Sequence, residues 1–368
     1  MTAESVPFID LRPGEDDAAV RAAIDRVVTS GRFVLGPEVE AFEAEFAAAS
    51  GAAHAVGVGN GTDAIALLLR AVGITRGDEV IVPALTAGYT ALAVLLAGAT
   101  PVFADVDADT LTLNPASCEA AITPRTVAIV PVHLYGQPAD MSALTAIAAR
   151  RSLAIVEDCC QAHLATYAGT PVGTLGAGGA FSFYPTKNLG ALGDGGAVVS
   201  NDSSIAARVR RLRNGGQINR YIHGDAGVNS RLDELQAAVL RTRLPMLPRW
   251  TARRRALAAT YGRLLTSLVR PLPCRDEGHV YHLFVVRSSE RDALQAHLSA
   301  SRVETLIHYP IPMTHQPAFE QWKRSECPLA ACAAREILSL PLHQRLTDND
   351  VERVCLGMDA FQKGHTLA

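Results

Sequence analysis

The segment 181–196 reads Phe181-Ser182-Phe183-Tyr184-Pro185-Thr186-Lys187-Asn188-Leu189-Gly190-Ala191-Leu192-Gly193-Asp194-Gly195-Gly196. The pattern predicts a buried strand at 179–184, then a turn of the chain, and a second strand at 197–200. The four glycines between them let the backbone turn tightly and approach a ligand. A lysine on such a loop is either a phosphate clamp or a covalent amine nucleophile, because the pKa of a lysine falls readily in a dry site. A solvated loop lysine is the ordinary alternative for Lys187 taken alone.

Strand-like apolar runs alternate with helical patterns on both sides of this segment. The predicted strands are 55–58, 79–82, 101–104, 127–132, 153–157, 179–184 and 197–200, and the predicted helices are 16–30, 62–72, 89–97, 142–151, 233–244, 251–265 and 290–300. The strands are continuous apolar runs, which is typical of strands buried on both faces of a sheet. The pattern predicts an α/β fold with a large, mostly parallel sheet.

The length of 368 residues favours about two domains. Two prolines and a tryptophan, Pro245, Pro248 and Trp250, interrupt the chain after the predicted helix 233–244. We therefore predict an N-terminal arm plus a large domain over residues 1–249 and a smaller C-terminal α/β domain over residues 250–368. The smaller domain contains a further predicted strand at 279–286. The pattern of the first 35 residues predicts an arm and a helix, but it does not indicate what they do.

The composition excludes several classes of protein. With 48% hydrophobic and 19% charged residues the chain is an ordinary globular protein. A net charge of -3 and the absence of a long basic run give no support to nucleic-acid binding. No apolar run is long enough to span a membrane, and no secretory pattern opens the chain. Seven cysteines without a Cys-x-x-Cys pair, and histidines without ligand spacing, predict a reducing cytoplasm and no metal.

A phosphate site is predicted where a strand ends and a helix begins, at Val58-Gly59-Asn60-Gly61-Thr62-Asp63-Ala64. The free N–H groups and the helix dipole at such a terminus attract phosphate. The hydroxyl of Thr62 can add a hydrogen bond. Alternatively, Thr62 or Asp63 simply caps the helix.

Three further polar residues lie at or near the ends of predicted strands. Asp158 comes at the carboxyl end of strand 153–157, where open α/β sheets bind ligands, and a buried carboxylate there needs a cationic partner such as a protonated pyridine nitrogen. Gln161 could bond an oxygen on the same ring, and Ser182 could reach the phosphate. A capping aspartate and a serine bonded to backbone are the ordinary alternatives. Together with Lys187 these residues predict a site for a phosphorylated aromatic aldehyde.

The whole chain also resembles the DegT/DnrJ/EryC1/StrS sugar aminotransferases, which use pyridoxal phosphate on the fold-type-I scaffold. The most specific similarities are the segment 181–196 and Asn229-Ser230-Arg231-Leu232-Asp233-Glu234-Leu235-Gln236-Ala237-Ala238. The resemblance also rests on residues 36–43, 77–83, 131–136, 157–158, 161–162 and 306–310.

The resemblance implies a role for each candidate residue. Lys187 would bind the cofactor covalently and shuttle the proton, Asp158 would pair with the ring nitrogen, and Gln161 would contact the ring oxygen. Ser182, Thr62 and the backbone of Gly61 and Asp63 would hold the phosphate. Asn229 would reach the phosphate from the partner of a homodimer with shared sites, and His308 and Tyr309 would contact substrate. One departure concerns the cofactor ring: many relatives place an aromatic residue directly after Thr86, but here Ala87 follows and Tyr89 comes later.

The resemblance implies that an amino acid, L-glutamate, gives its amino group to a keto nucleotide-sugar. Within 182–196 it is closest to enzymes acting at C3 of deoxysugars made for antibiotics. The alternatives are amination at C4, a lyase or dehydratase on the same scaffold, and a non-catalytic sensor. Dehydratase relatives replace the lysine by histidine, so the presence of Lys187 favours amino transfer.

Overall fold

The computed structural model describes residues 5–12, 14–265 and 269–366. The ends of the two predicted domains, residues 1–4 and 367–368, lie outside the described residues. The helices are α1 Asp17–Ser30, α2 Pro37–Ala49, α3 Gly61–Ala71, α4 Gly88–Leu96, α5 Pro115–Ala120, α6 Met141–Arg151, α7 Ser203–Leu212, α8 Glu234–Arg243, α9 Leu247–Leu264, α10 Arg291–Ala300, α11 Pro328–Glu336 and α12 Asp348–Thr366.

Seven strands form the large sheet. They are β1 His54–Val58, β2 Glu79–Pro83, β3 Thr100–Ala104, β4 Thr126–Ile129, β5 Ala154–Asp158, β8 Gly178–Ser182 and β9 Gly196–Ser200. Their order is β1-β9-β8-β5-β4-β2-β3. All neighbouring pairs are parallel except those that β9 makes with β1 and β8. The prediction of a large, mostly parallel sheet is confirmed.

Seven shorter strands complete the chain: β6 Thr166–Tyr167, β7 Thr170–Pro171, β10 Gln217–Asn219, β11 Ile222–His223, β12 Arg270–Pro271, β13 Phe284–Arg287 and β14 Ile337–Leu340. Strands β12, β13 and β14 form a separate antiparallel sheet, whereas β6–β7 and β10–β11 are two-stranded hairpins. The core of the three-stranded sheet includes residues of α9, α10 and α12, and also Val6 from the N-terminal arm. The domain boundary at residue 249 stays a prediction.

Helices cover both faces of the large sheet, as its strand pattern requires. In β2, Val80 and Val82 pack with α3 and α4 on one face, whereas Ile81 packs with α6 on the other. Every residue of β2 is buried, which explains why residues 80–83 are apolar without alternation. The charged Glu79 is buried against Arg125 and Arg324. A rigid sheet of this kind fixes the positions of the loops at its carboxyl edge.

A buried carboxylate joins two distant segments on which the resemblance rests. The side chain of Glu234, at the start of α8, accepts hydrogen bonds of 2.9 Å from the N–H groups of Gly36, Glu38 and Val39. These donors belong to the first turn of α2, where a helix leaves N–H groups without an internal partner. Glu234 therefore caps α2 and holds it against α8.

Two predicted elements differ most from those observed. The strand predicted at 279–286 is regular only from Phe284, because Val280 and Leu283 donate their N–H groups to Gly136 and Tyr135 instead of to a strand. The helix predicted from 251 begins earlier, at Leu247. Pro248 lies in its first turn, where the backbone N–H that proline lacks would have no partner within the helix.

Candidate active site

The candidate site lies at the carboxyl edge of the large sheet. Strand β5 ends at Asp158 and the parallel neighbour β8 ends at Ser182, so both open onto the same edge. The lysine loop, residues 183–195, then returns to the antiparallel strand β9. Helix α3 begins nearby at Gly61, after β1. The sheet thus brings Asp158, Ser182, Gly61 and Lys187 to one place, as their sequence positions predict.

The lysine loop folds back on itself. Its two ends meet through a 2.7 Å hydrogen bond from the N–H of Phe183 to the carbonyl of Gly195, and the N–H of Ala191 donates to the carbonyl of Phe183 at 2.8 Å. Inside the loop, the N–H of Lys187 donates to the carbonyl of Tyr184 at 2.8 Å. A β-carbon at Gly190 would lie 2.5 Å from the carbonyl oxygen of Pro185, so the fold of the loop requires glycine there.

The ammonium of Lys187 lies among groups that change its proton affinity. Loss of hydration lowers its pKa, while the thiol of Cys160 and the carboxylate of Asp158 act in the opposite direction. Burial, and then the charge of Lys187, lower the pKa of His163 to about 3 and that of His308 to about 4. The imidazoles around the lysine are therefore neutral at pH 7. Neither His163 nor His282, a third neutral ring facing Lys187, was among the candidates from sequence.

Asp158 is buried, with only 4% of its surface exposed. One carboxylate oxygen accepts a 2.8 Å hydrogen bond from the hydroxyl of Thr90, and the other accepts a 3.1 Å bond from the N–H of Cys160. Among the described residues no cationic side chain forms an ion pair with Asp158. Its charge is thus held in place by two neutral donors, and the ammonium of Lys187 is close enough to interact with it without forming an ion pair. The sequence does not indicate that Thr90 belongs to the site, because nothing in a predicted helix shows which residue a threonine will contact.

The start of α3 and the end of β8 are in close contact. A β-carbon at Gly61 would lie 2.7 Å from Cβ of Ser182 and 2.8 Å from Sγ of Cys160, so only glycine fits. Asn60 caps the helix, since its side chain accepts from the N–H of Asp63 at 2.8 Å. The N–H groups of Gly61 and Thr62 come before the first intrahelical bond of α3. They can bind an anion, whereas the N–H of Asp63 is already bonded.

The side chain of Asp63 has a structural partner instead. Its carboxylate accepts hydrogen bonds from the hydroxyl of Ser230 at 2.6 Å and from the amide of Asn60 at 3.1 Å. Ser230 in turn accepts from the N–H of Gly59 at 2.9 Å. These bonds fix the turn between β1 and α3.

Gln161 connects the large sheet with the segment around residue 308. Its side-chain Nε2 donates to the hydroxyl of Tyr309 at 2.9 Å, and its side-chain Oε1 accepts from the N–H of Tyr135 at 2.6 Å. The hydroxyl of Tyr135 donates to the carbonyl of His308. The structure therefore brings Gln161, His308 and Tyr309 together. Tyr135 belongs to the segment 131–136, which the resemblance includes without assigning a role to it.

Asn229 and Tyr89 lie at the surface of the chain. Asn229 is exposed, and its backbone pairs with that of Asn214. Its side chain bonds none of the other candidates among the described residues. Tyr89 is exposed at the beginning of α4, next to Thr90, the residue that bonds Asp158.

The described residues include one group with the composition of a metal site: His133, Glu157 and Cys159. Nδ1 of His133 accepts from the N–H of Ala139, so Nε2 carries the proton and donates to Glu157 at 3.0 Å. The carboxylate of Glu157 also accepts from the N–H groups of Gly173, Leu175 and Gly176. We interpret this group as a buried hydrogen-bond network that stabilises the end of β5. None of the described helices is both long and apolar enough to cross a membrane.

Comparison with known proteins gives consistent matches along the chain. The chain is 51% identical over 356 residues to the dTDP-3-amino-3,4,6-trideoxy-alpha-D-glucose transaminase of Streptomyces venezuelae, covering 95% of this chain and 94% of that protein. The solved structure of S. venezuelae DesV in complex with a ketimine intermediate superposes with a TM-score of 0.94 at 49% identity, covering 98% and 99% of the two chains. That of Bacillus subtilis NtdA with bound cofactor PMP has a TM-score of 0.91 at 30% identity, covering 98% and 86%.

These matches extend well beyond the candidate site and include the seven-stranded and the three-stranded sheets. They confirm the predicted fold, since the similar structures include a DegT DnrJ EryC1 StrS aminotransferase from Brucella abortus and the PMP-bound NtdA. The family profile for the DegT/DnrJ/EryC1/StrS aminotransferase family matches residues 15–359. The chain belongs to the DegT/DnrJ/EryC1/StrS aminotransferase family.

Proposed function

We propose that this chain is a pyridoxal-phosphate-dependent aminotransferase. It moves an amino group from an amino acid, L-glutamate, to C3 of a keto deoxysugar that is linked to a nucleoside diphosphate. The observation that carries the proposal is the convergence of Lys187, Asp158 and the Gly61–Ser182 contact at one edge of the large sheet. The dTDP-3-amino-sugar reaction named for the S. venezuelae relative supports the substrate class and the ring position.

The residues present fit pyridoxal phosphate. The N–H groups of Gly61 and Thr62, at the positive end of α3, would hold the phosphate together with the hydroxyl of Ser182. The close approach at Gly61 leaves no room for a side chain in this cradle. Asp63 would contribute indirectly, because its bonds to Asn60 and Ser230 fix the turn that presents these groups.

Pyridoxal phosphate, when bound, supplies an electron sink for negative charge at the α-carbon of an amino acid. Asp158 would hold the ring nitrogen in its cationic form, because the carboxylate is buried and has no cationic partner among the described side chains. Thr90 orients that carboxylate through its hydroxyl. Gln161 would contact the ring oxygen with its side-chain amide.

Lys187 is the group that moves protons. Because burial lowers its pKa, a larger fraction of its side chain is the neutral amine, which can act as nucleophile and as base. In each half-reaction this amine would move a proton between the substrate carbon and the cofactor. It would take the proton from the α-carbon of the donor in the first, and deliver one to the sugar carbon that receives nitrogen in the second. The neutral rings of His163 and His308 add no competing positive charge beside it.

His308 and Tyr309 would form the wall against which the sugar lies. The bond from Gln161 to the hydroxyl of Tyr309 connects this wall to the floor of the site. The nucleoside diphosphate offers remote binding groups that orient the small keto carbon, and such binding energy raises turnover. All seven cysteines are free thiols, which suits the reducing cytoplasm in which nucleotide sugars are made.

We propose a homodimer with shared sites, in which Asn229 reaches the phosphate of the partner. The hairpin β10–β11 beside it exposes apolar side chains, among them Tyr221 with 78% of its surface exposed and Ile218 with 60%. Exposed apolar surface of this kind favours coverage by another chain. Mixing inactive Lys187→Ala and Asn229→Ala chains should restore part of the activity, because one mixed site has both residues intact. Inactive mixtures, despite proven exchange of subunits, would exclude sharing of this kind.

The decisive experiment is a mass-spectrometric screen of keto nucleotide-sugars with L-glutamate as donor. We expect a product with one amino group at C3 of a deoxyhexose. An amine at C4, or loss of water without gain of nitrogen, would establish one of the alternative reactions instead. Purified protein without any bound pyridoxal phosphate, and unable to bind it, would favour a non-catalytic sensor.

A further inference from the structure

The N-terminal arm, residues 5–12 and 14–16, runs along the rim of the candidate site. Val6 forms a parallel bridge with Val303, and the N–H of Phe8 donates to Glu304 at 2.9 Å. The ring of Phe8 then stacks on that of His308 with 5.7 Å between centroids. The arm is therefore an ordered part of the fold, and it passes beside one wall of the site before α1 begins.

A cavity of about 510 Å³ separates the end of this arm from the lysine loop. Residues 9–12 and 14–16 of the arm line one side of it, and residues 185–188 and 190–192 of the loop line the other. Apolar packing therefore cannot hold the loop from this side. Where packing is absent, the position of a loop depends on the polar contacts that cross the gap.

Arg243, at the end of α8, makes such a contact. Its Nε donates to the carboxylate of Asp16 at 2.7 Å, and Nη1 donates to the carbonyl of Gly190 at 2.7 Å. The side chains of the pair are 11% and 8% exposed, so water competes little with these bonds. Asp16 is fixed in turn by the N–H of Gly14 at 2.9 Å. One guanidinium thus joins the arm, α8 and the lysine loop.

The contact with Gly190 matters because of where this glycine lies. It is packed against Pro185, so a shift of its carbonyl is transmitted to the turn that carries Lys187. Other parts of the loop have their own anchors: Gln236 accepts from the N–H of Leu192 at 2.8 Å, and Asn188 donates to the carbonyl of Val280 at 3.1 Å. The guanidinium of Arg243 fixes the part of the loop between these two anchors.

We propose that Asp16 and Arg243 are positioning residues, which together hold the lysine loop in the geometry that amino transfer requires. The inference rests on the proposed function for its catalytic consequence, but the positioning itself is a property of the protein without cofactor. Arg243 acts on Lys187 through the backbone, and Asp16 acts through Arg243. Catalysis is sensitive to displacement of this kind, since an error of about 1 Å can slow a reaction by about 100-fold.

Arg241 provides a matched control. It lies on α8 two residues before Arg243, and it likewise bonds carboxylates, those of Glu38 and Glu45. Among the described residues it makes no contact with the lysine loop. The variants to compare are therefore Arg243→Gln, Asp16→Asn and Arg241→Gln.

The first measurement is hydrogen exchange of peptides that cover residues 184–192, in protein free of pyridoxal phosphate. We expect the amides of Lys187 and Ala191 to exchange about tenfold faster in Arg243→Gln and in Asp16→Asn, and within about twofold of wild type in Arg241→Gln. Unchanged exchange in both test variants, or equal acceleration in Arg241→Gln, would overturn the proposal. If Arg243→Gln fails to fold, Asp16→Asn, which keeps the guanidinium, carries the test.

The second measurement is the rate of the half-reaction with L-glutamate in the reconstituted protein. We expect kcat to fall about tenfold in both test variants while KM for glutamate changes little, and the double variant to be no slower than Arg243→Gln. Faster exchange with unchanged kcat would refute the catalytic part. If the wild type does not react with any amino acid, the proposed function fails, while the exchange data still decide whether the pair holds the loop.

Discussion

Replacing Asp158 by asparagine tests the electrostatic part of the proposed mechanism most directly. The substitution keeps the size of the side chain, and the amide oxygen can still accept from Thr90, but the buried negative charge disappears. A close carboxylate raises the pKa of a cationic partner by about 1–3. Because Asp158→Asn removes the carboxylate itself, we expect the whole effect on the ring nitrogen to be lost. It corresponds to about 1.4–4 kcal/mol, or about 10- to 1000-fold in rate.

The assay is single-turnover amino transfer from L-glutamate, followed by absorbance, with the content of pyridoxal phosphate measured after its release in alkali. We expect Asp158→Asn to keep the cofactor and to lose rate within that range. Thr90→Val, which removes one hydrogen bond to the carboxylate, should lose about three- to tenfold. The control Asp140→Asn changes an exposed carboxylate that caps α6 and should leave the rate within about twofold. A rate for Asp158→Asn close to wild type would show that the carboxylate is only structural.

Three further predictions concern the lysine and the stability of the fold. Lys187→Ala should abolish turnover, and borohydride reduction of the wild type followed by peptide mapping should find the cofactor on Lys187 and on no other lysine. Glu234→Ala removes a buried carboxylate with three N–H donors, so we expect a loss of about 3–5 kcal/mol, seen as a Tm about 4–6 °C lower than that of the exposed neighbour variant Asp233→Asn. Hydrogen bonding to Arg324 is the main cause that lowers the pKa of Glu79 from 4.5 to about 2, so the stability that this carboxylate contributes is complete above pH 4.5 and lost toward pH 2. Urea midpoints of wild type and Glu79→Gln should therefore differ at pH 7 and converge in acid, and a constant difference would contradict this assignment.

The sequence predicts those features of the fold that depend on local patterns. Continuous apolar strands predict a parallel sheet with two covered faces, and β2 shows the reason, since its successive residues pack on opposite faces. The antiparallel direction of β9 could not be predicted, because a buried strand has the same pattern in either direction. The segment 279–283 resembles a strand in its β-branched and aromatic residues, yet the N–H groups of Val280 and Leu283 bond the turn at residues 135–136.

The candidate site could be predicted in part for a related reason. Asp158, Ser182 and Gly61 come at the ends of strands or at the start of a helix, and sheet topology brings such positions together. Thr90 and Arg243 lie within helices, where their partners depend on tertiary packing and leave no mark in the sequence. Whether Asn229 completes a second chain's site stays a prediction, because a single chain shows only that this residue is exposed.

The antiparallel strand β9 has a consequence for how the enzyme can change over evolution. Two parallel neighbours need a crossover of a dozen or more residues, usually a helix that must pack on the sheet. Between β8 and β9 the chain makes a simple return, so residues 183–195 carry no packed helix. The register of the two strands is set by their own pairing, so it does not depend on the exposed residues of this return. New chemistry can therefore arise at exposed positions of the lysine loop while the two strands keep their pairing.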